Sequence, residues 1–379
     1  MPLFSAQFNS FGLDISDGSL KLIQIKKRVH GTQITAWATK NIEPGIIQNG
    51  EIKEPKKLVQ QIKNIMANAH GNLTSDNVVA VLPESKTFIK LFKFKYTDKK
   101  IHHLKIRDLV EKELPNHIPV EINKLRFDVQ VINRSEDQIK VLVGAVPQKT
   151  RDSYINVLSE ANLKIIAMEI EAQSITRAIF PEPNIIHPIK NVKIKLPKSS
   201  PFQVKNFTSK MPTIIADLGA NRSSLIMWDK DIIQFTKSLD ISGNQITEQI
   251  SKELKISYAK AEKAKTICGL DQKKGKGAIY EITSSFIKNF VDEINKTLSY
   301  YQKTSSTNVD RWQLILTGGS ANLNGLRTHL INKLKIKVSR ADPMVNITKK
   351  DKISFPQNNK TDMSTAIGLA LRHLVIEDV

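Results

Sequence analysis

One aspartate in the second half of the chain has the surroundings of a phosphate-binding turn. Asp217 follows the β-branched run Thr213 to Ile215 and lies two residues before Gly219, after which a second apolar run, Ser223 to Trp228, begins. This order is typical of a buried strand, a tight turn and a returning strand. A carboxylate there can hold a metal ion or a water, and the glycine lets backbone N–H groups approach a phosphate. By itself the pattern also fits an ordinary hairpin with a turn glycine.

The same arrangement occurs near the start of the chain. Asp14 lies in the apolar run Phe11 to Ile15, the turn Ser16 to Ser19 follows, and the chain returns as Leu20 to Ile25. The second aspartate comes 203 residues after the first (217 minus 14). Two copies of one acidic hairpin indicate a duplicated domain whose halves face each other across a cleft. Lys21 lies on the returning strand, from which its ammonium group can reach a phosphate.

A third feature has the form of a nucleotide-binding turn. The predicted buried strand Arg311 to Thr317 runs directly into Gly318 and Gly319, and a helix is predicted from Leu323 to Leu334. Backbone without side chains, followed by a helix N-terminus, is suited to binding a nucleotide. A pair of glycines after a strand is weak evidence alone, but here it adds to the two acidic hairpins.

The elements around these features divide the chain into two halves and an insert. The strands and helices predicted after residue 76 can form a sheet with its own helical cover, as in a separate α+β subdomain. A Pro-, Lys-, Asn- and Ser-rich stretch without periodicity then separates the halves. We therefore predict an α/β fold with a first domain at 1–76 and 163–180, an inserted α+β subdomain at 77–162, a linker or long loop at 181–212, and a second domain at 213–379 with a helical subdomain at about 243–305.

Length and composition exclude several classes of protein. The chain has 379 residues and a single cysteine, Cys268, so it forms no intramolecular disulfide and that residue alone builds no zinc site. No apolar run approaches the roughly 20 residues that span a bilayer. The first residues lack the basic region and apolar core of a signal peptide. These observations predict a cytoplasmic protein.

The strongly basic balance leaves the kind of partner open. Lys and Arg number 57 against 37 Asp and Glu, which gives a formal net charge of +20. Such a charge suits nucleic acid or an anionic membrane surface. Because the lysines are spread along the chain and do not form a stripe with interleaved aromatic residues, we predict no nucleic-acid site. A location close to a membrane is compatible with the charge.

The three features, in this order, resemble the actin-like ATPase fold, in which two hairpins hold the phosphates and a glycine turn lies against adenosine. More narrowly, the chain resembles the PilM family of type IV pilus assembly proteins, which is related to FtsA of cell division. The resemblance covers nearly the whole chain. It is carried by GLDISDGSLKLIQIK (12–26), VLPESKTF (81–88), VLVGAVPQ (141–148), EAQSITRA (171–178), IADLGANRSSL (215–225), GNQITEQISKELKISYAKAEKAK (243–265), LTGGSANLNGL (316–326) and TAIGLALR (365–372).

The resemblance implies a site for ATP and Mg²⁺ between two duplicated domains, with an insert placed as in FtsA. Asp14 and Asp217 would organise Mg²⁺, through water, and Glu171, or alternatively Glu169, would orient the attacking water. Two departures from the family pattern are Ser16, where glycine is frequent, and Asp17, which adds a negative charge at the hairpin tip. The implied cofactor-binding residues are Ser16, Asp17, Gly18, Ser19, Lys21, Gly219, Ala220, Asn221, Gly243, Glu262, Lys265, Gly318, Gly319 and Ser320.

The function implied is that of an ATP-binding adaptor, at most a slow ATPase, in type IV pilus or related type II secretion assembly. It would lie at the inner face of the cytoplasmic membrane and bind the cytoplasmic tail of a PilN-like membrane protein through the first domain and the insert. Self-association is a further contact to expect. An FtsA-like filament-forming division protein is the alternative. That class has a C-terminal amphipathic membrane helix, whereas this sequence ends inside or just after its last predicted helix. A sugar kinase would need a substrate-binding acid and a base beside the phosphate, and the sequence has no such signature.

Overall fold

A computed structural model describes residues 9–28, 31–95, 103–135, 137–181, 211–305, 309–348, 353, 355–356 and 360–375. Almost all of the predicted loop at 181–212 lies outside these residues. The strands are β1 (Phe11–Ile15), β2 (Ser19–Arg28), β3 (Gly31–Asn41), β4 (Ile47–Gln48), β5 (Glu51–Ile52), β6 (His70–Gly71), β7 (Asn77–Leu82), β8 (Phe88–Lys95), β9 (Leu125–Arg134), β10 (Gln138–Pro147), β11 (Lys164–Ile170), β12 (Thr213–Leu218), β13 (Ser223–Asp229), β14 (Ile232–Leu239), β15 (Gln313–Thr317) and β16 (Lys337–Arg340). The helices are α1 (Pro55–Ala67), α2 (His103–Glu113), α3 (Gln148–Glu160), α4 (Glu171–Ile179), α5 (Gly243–Leu254), α6 (Tyr258–Cys268), α7 (Ala278–Thr304), α8 (Leu326–Leu334) and α9 (Ser364–Val375).

Two sheets repeat one topology. The first has the order β11-β7-β1-β2-β3-β6, and the second begins β16-β15-β12-β13-β14. In each, a central strand pairs in parallel on one side, β1 with β7 and β12 with β15, and antiparallel with the next strand of its hairpin on the other. Both hairpins lie where the sequence predicts them. The structure therefore contains the duplicated domains that the repeated acidic hairpin indicates.

The buried faces of the elements explain how the two sheets are covered. Helix α1 begins with Pro55 at its first turn and buries Leu58 and Ile62, which lie one turn apart on the same face, against the first sheet. Helices α7 and α8 cover the second sheet, where Phe290 and Leu330 lie in the core. Helices α5 and α6 form a separate small core with the start of α7, so the helical subdomain has its own packing.

Helices α4 and α9 cross between the two sheets. A Cβ atom on Gly368 of α9 would overlap the carbonyl oxygen of Ser174 in α4, so only glycine allows this close approach. Gly12 of β1 has the same role, because a Cβ atom there would overlap the carbonyl oxygen of Ala366. Helix α9, which the prediction assigned to the second domain, therefore packs on β1 and α4 of the first.

The structure moves the predicted boundaries of the insert inward. Strand β7, placed in the insert by the boundary at 77, lies in the first sheet between β1 and β11. Helix α3, also placed there, buries Tyr154 and Leu158 in the core of the first domain. A buried strand followed by further strands gives no local signal for the point at which the chain leaves one sheet for another. The insert proper consists of β8, β9, β10 and α2 with a core of its own.

The insert is also joined to the second sheet. Strand β8 pairs with β14 at Lys90 and Phe235, which extends the second sheet in the order β14-β8-β10-β9. The Lys90 ammonium group lies 3.0 Å from the Tyr300 hydroxyl on α7. The insert is thus covalently part of the first domain and hydrogen-bonded to the second.

No helix among the described residues is both long enough and apolar enough to span a bilayer.

Candidate functional site

The carboxyl ends of five parallel strands meet at one edge of the two sheets. Asp14 lies on β1 and Asp217 on β12, while Glu84, Glu171 and Gly318 follow β7, β11 and β15. In open α/β sheets, the crevice at the carboxyl ends of the strands is where ligands bind. The topology therefore brings together residues that are far apart in sequence, and this edge forms the candidate site.

Lys21 joins the first hairpin to a residue that the sequence analysis missed. It lies directly opposite Asp14 across the antiparallel hairpin, and its ammonium group is 3.6 Å from the Asp14 carboxylate. It is 2.9 Å from the carboxylate of Asp362, in the one-turn helix Lys360–Met363. Burial lowers the pKa of Lys21, but the two carboxylates outweigh that effect and hold it above its usual value. Lys21 thus carries a full positive charge at the edge where a phosphate would lie.

Four acidic groups at this edge have raised pKa values, and the sequence analysis identified three of them. Burial raises the pKa of Asp217 to about 7, against the attraction of Lys21, and the nearby Asp14 adds to the rise. Burial likewise raises the pKa of Asp14. The pKa of Glu171 lies well above its usual value, because of burial and of the charges of Asp217 and Asp14. The cluster has more carboxylates than Lys21 can neutralise, so bound cations or protons stabilise it.

Glu169, the alternative residue for orienting water, is fully engaged elsewhere. Both Nη atoms of Arg177 lie 2.8 Å from its carboxylate, and Arg372 of α9 also donates to it. Burial would raise the pKa of Glu169, but the two arginines lower it. Glu169 is therefore part of an ion-pair network between β11, α4 and α9. Glu171 accepts a hydrogen bond from the Thr365 hydroxyl at 3.3 Å and faces the other carboxylates.

Glu84 was not predicted as a site residue. It is buried just after β7, and one of its carboxylate oxygens has no hydrogen-bond partner among the described residues. Burial raises its pKa to about 7, a hydrogen bond from Thr236 of β14 opposes this, and the charge of Asp217 adds to it. The signal was present, since an acid follows the buried run VVAVLP, but the predicted boundary assigned that run to the insert.

The tip of the first hairpin is built by its own serines. Ser16 N–H donates to the carbonyl of Ser19 at 3.0 Å, and the Ser16 hydroxyl donates to the same carbonyl at 3.0 Å. Asp17, whose charge departs from the family pattern, accepts a hydrogen bond from Gly50 N–H at 2.9 Å. The Asp17 carboxylate is thus used to fix the neighbouring turn of the first domain.

The second hairpin tip contacts both the first hairpin and the helical subdomain. The carbonyls of Gly219 and Ala220 accept from the N–H groups of Gly243 and Asn244 at 3.1 and 2.8 Å, so the start of α5 is anchored on the tip. A Cβ atom on Gly18 would lie 2.8 Å from Nδ2 of Asn221. The two hairpin tips therefore approach each other closely across the cleft.

A second contact also bridges the cleft. Arg222 Nη2 donates to Oδ1 of Asn49 at 2.9 Å, next to the turn held by Asp17. The side chain therefore links the second hairpin to the first domain.

The glycine turn packs against the same hairpin. Gly318 has φ +81°, a conformation that favours glycine. A Cβ atom there would also lie 2.5 Å from the Asp217 carboxylate, so both the backbone conformation and the available space require glycine. A Cβ atom on Gly319 would lie 3.3 Å from Asp362. The Ser320 hydroxyl donates to the Gly219 carbonyl at 3.4 Å and lies beside Gly243. The predicted adenosine turn and the second phosphate hairpin thus adjoin each other.

Lys265 and Glu262 are engaged with each other and with α5. The Lys265 ammonium donates to the Gly243 carbonyl at 2.9 Å, the Thr247 hydroxyl at 2.7 Å and the Glu262 carboxylate at 2.8 Å. An ammonium group has three N–H donors, so this set uses all of them. In this arrangement Lys265 holds α6 on the start of α5, while the side chain of Glu262 stays about half exposed (45%).

The described residues contain no cluster of three or more His, Cys, Asp or Glu side chains placed to bind a metal ion. Asp14 and Asp217 therefore do not form an all-protein cage. Mg²⁺ in proteins is commonly held by one or two carboxylates together with phosphates and waters. The two aspartates fit that mode, in which a bound phosphate completes the shell.

Comparison with known proteins gives one family and the fold. A family model described as type IV pilus assembly protein PilM matches residues 12–374. The chain is similar to a chain of a solved PilM–PilN type IV pilus biogenesis complex, with a TM-score of 0.77, 19% identity, and coverage of 97% of this chain and 99% of that chain. It is also similar to the ethanolamine utilization protein EutJ from Carboxydothermus hydrogenoformans, with a TM-score of 0.53, 12% identity, and coverage of 95% and 88%. Together with the duplicated sheets, these matches confirm the predicted actin-like ATPase fold.

Proposed function

This chain belongs to the PilM family of type IV pilus assembly proteins, and we propose that it is a nucleotide-binding adaptor that docks the cytoplasmic tail of a PilN-like membrane protein. Nucleotide binding is supported by one observation: two acidic hairpins and a glycine turn lie together at the carboxyl ends of five parallel strands. Binding of a PilN-like partner is supported by membership of the family. The protein acts at the inner face of the membrane through that partner.

Charge at the strand edge supports ATP with Mg²⁺ as the ligand. The raised pKa values of Asp14, Asp217 and Glu171 mean that these carboxylates are short of positive charge. Asp14 and Asp217 would hold a divalent cation through water, and the cation would supply the positive charge that these carboxylates and a triphosphate need. Lys21 places a further positive charge at the same edge. The cleft therefore suits a metal-bound triphosphate better than a free anion.

Any hydrolysis at this site rests on positioning. The hairpins hold the phosphates, and Mg²⁺ supplies neutralisation of the charge that develops on the transferred phosphoryl group. Glu171 lies at the N-terminus of α4, where burial and the charges of Asp217 and Asp14 raise its pKa. Glu169 is excluded from this role by its two arginines. We expect turnover to be slow and the main role to be that of a scaffold.

The partner site is proposed on the first domain and insert. The solved structure that this chain resembles over 97% of its length is a complex of PilM with PilN. The insert is joined covalently to the first domain and by β8 to the sheet of the second. A tail bound on the insert therefore contacts an element that both halves hold in place.

One experiment tests the two parts separately. The full chain is titrated with ATP in the presence and absence of Mg²⁺, and with a synthetic peptide carrying the cytoplasmic tail of a PilN-type protein, using the wild type and Asp217→Ala. We expect Mg²⁺-dependent ATP binding that weakens on the order of tenfold or more in Asp217→Ala, since one of the two carboxylates proposed to hold Mg²⁺ is removed. The peptide binds both proteins with equal affinity when nucleotide is absent.

Unchanged ATP affinity in Asp217→Ala would contradict the site assignment. Failure of the wild type to bind the tail peptide would contradict the adaptor role. Asn295→Ala, at an exposed position on α7, is the control and leaves both affinities unchanged.

A further inference from the structure

A chain of hydrogen bonds runs from the helical subdomain to the second hairpin tip. The Tyr258 hydroxyl donates to Oδ1 of Asn244 at 2.9 Å, and Nδ2 of Asn244 donates to Oδ1 of Asn221 at 2.6 Å. Of these three residues, sequence reasoning identified only Asn221 as a cofactor-binding residue. Tyr258 and Asn244 do not lie on the hairpin, and they reach it through polar contacts at its tip.

The hydrogen bonds determine which end of the Asn221 amide faces the gap between the hairpins. An asparagine side chain has an acceptor oxygen and a donor NH₂ group of nearly the same shape, so its partners decide its orientation. Because Oδ1 of Asn221 accepts from Asn244, Nδ2 is turned toward Gly18 on the first hairpin. Phosphate oxygens between the hairpins require donors, and this orientation supplies one.

Both supporting residues sit on rigid helix starts. Asn244 is the second residue of α5, where Ser242 and Gln245 form a reciprocal capping box and Asn244 N–H donates to the Ala220 carbonyl. Tyr258 is the first residue of α6, capped by Ser257, and its side chain is 45% exposed. The two helices are fastened together by Lys265. The orientation of Asn221 thus depends on how the helical subdomain is placed against the hairpin.

We propose that Asn244 and Tyr258 are positioning residues for the phosphates: they hold Asn221 with its NH₂ group toward the gap between the hairpins and so tie phosphate affinity to the helical subdomain. The inference rests on the proposed ATP site. It assigns these two residues no contact with the nucleotide itself.

Asn244→Asp tests the proposal because it changes one donor into an acceptor at nearly constant shape. The ionised carboxylate of this variant cannot donate to Oδ1 of Asn221, so Asn221 turns over and presents its oxygen to the phosphates. We expect ATP affinity to fall on the order of tenfold to a hundredfold. Tyr258→Phe, which keeps the ring and loses only the hydroxyl, gives a smaller loss in the same direction. Asn295→Asp introduces the same charge at an exposed position on α7 and leaves the affinity unchanged.

Two further readouts separate positioning from a general structural defect. Asn244→Ala removes the donor without adding a carboxylate, so Asn221 is no longer held in one orientation, and we expect a smaller loss of ATP affinity than in Asn244→Asp. The second readout compares Asn244→Asp and Asn244→Ala in an Asn221→Ala background. Because Asn244 acts through Asn221, Asn244→Ala has no further effect on ATP affinity there. Asn244→Asp has only the effect of its added charge. Far-ultraviolet circular dichroism and thermal unfolding verify that each variant is folded.

Equal ATP affinity of the wild type and Asn244→Asp overturns the positioning role while leaving the proposed function intact. A loss that is additive with that of Asn221→Ala also overturns it. If the wild type itself fails to bind ATP with Mg²⁺, the proposed function fails and this inference falls with it.

Discussion

The carboxyl group of Glu84 is buried where its ionised form is poorly compensated. Burial raises its pKa and the charge of Asp217 adds to the rise, while hydrogen bonds from Thr236 and Thr87 offset only part of it. An ionised carboxylate transferred into such surroundings without an ion-pair partner is destabilising, and the group responds by holding its proton. At the residue scale, the site is therefore a set of carboxylates that share Lys21 and favour protons or cations.

We predict that Glu84→Gln stabilises the nucleotide-free protein at alkaline pH. The folded pKa of about 7 lies above the ordinary value of 4.5, so the folded state binds more protons than the unfolded chain between these values, and stability falls as pH rises through this range. Neutral Glu84 stabilises the folded wild type fully below about pH 4.5, and this contribution to the free energy of unfolding is lost above pH 7. The difference in free energy of unfolding between Glu84→Gln and the wild type is therefore more favourable to the variant at pH 8 than at pH 5, by up to about 3 kcal/mol.

Denaturant unfolding of both proteins at pH 5 and pH 8 measures the effect of Glu84→Gln. Glu43→Gln, at an exposed position, is the control for replacing a glutamate by glutamine. A difference between Glu84→Gln and wild type that is the same at both pH values would contradict the assigned pKa.

At the scale of elements, the site depends on two crossing helices as much as on the hairpins. Helices α4 and α9 lie between the sheets, and the network of Glu169 with Arg177 and Arg372 ties them to β11. Glu171 is the first residue of α4, so the crossing sets where its carboxylate lies. The small residues in TAIGLALR are explained by this close packing and not by ligand contact.

We predict that Gly368→Ala destabilises the fold by about 2 kcal/mol or more, because the new methyl group would overlap backbone that cannot move away. Gly144→Ala is the matched control. The nearest atom to its added Cβ is the Ile170 side-chain methyl at 2.9 Å, the flexible end of a side chain. Chemical unfolding compares the two variants, and an equal effect of both would refute the proposed tightness of the crossing.

At the scale of the whole molecule, the insert leaves and re-enters the first domain at neighbouring points. Phe88 of β8 lies opposite Ala145 of β10 in the antiparallel register, so the two chain ends are one strand spacing apart. Strand β7 and helix α3, on either side of the insert in sequence, belong to the first domain.

We predict that replacing residues 89–144 by a short Gly/Asn linker leaves a folded protein that binds ATP with Mg²⁺ and has lost affinity for the PilN-type tail. Deleting residues 77–162 instead removes β7 from the centre of the first sheet and Tyr154 from its core, so that variant does not fold. Circular dichroism and ATP titration compare the two. Equal behaviour of the two deletions would contradict the boundaries given by the structure.

The sequence by itself determined the duplicated acidic hairpins, the glycine turn and the apolar faces of α1 and α7, because each depends on local signals. Asp14 and Asp217 lie near the ends of apolar runs, Gly318 follows a buried strand, and α1 and α7 carry apolar residues at helical spacing. The resemblance of the motifs around these features to the PilM family predicted the family and its fold.

Only the tertiary structure decided which strands share a sheet and which polar groups are already engaged. It placed β7 beside β1 and brought Glu84 into the site. It also showed that Glu169 is paired with two arginines and that Lys265 donates hydrogen bonds to three acceptors. Such pairings join residues far apart in sequence, and periodicity carries no information about them. Whether a carboxylate is available for chemistry depends on these distant partners, which is why the sequence located the cleft but not the roles of all the residues in it.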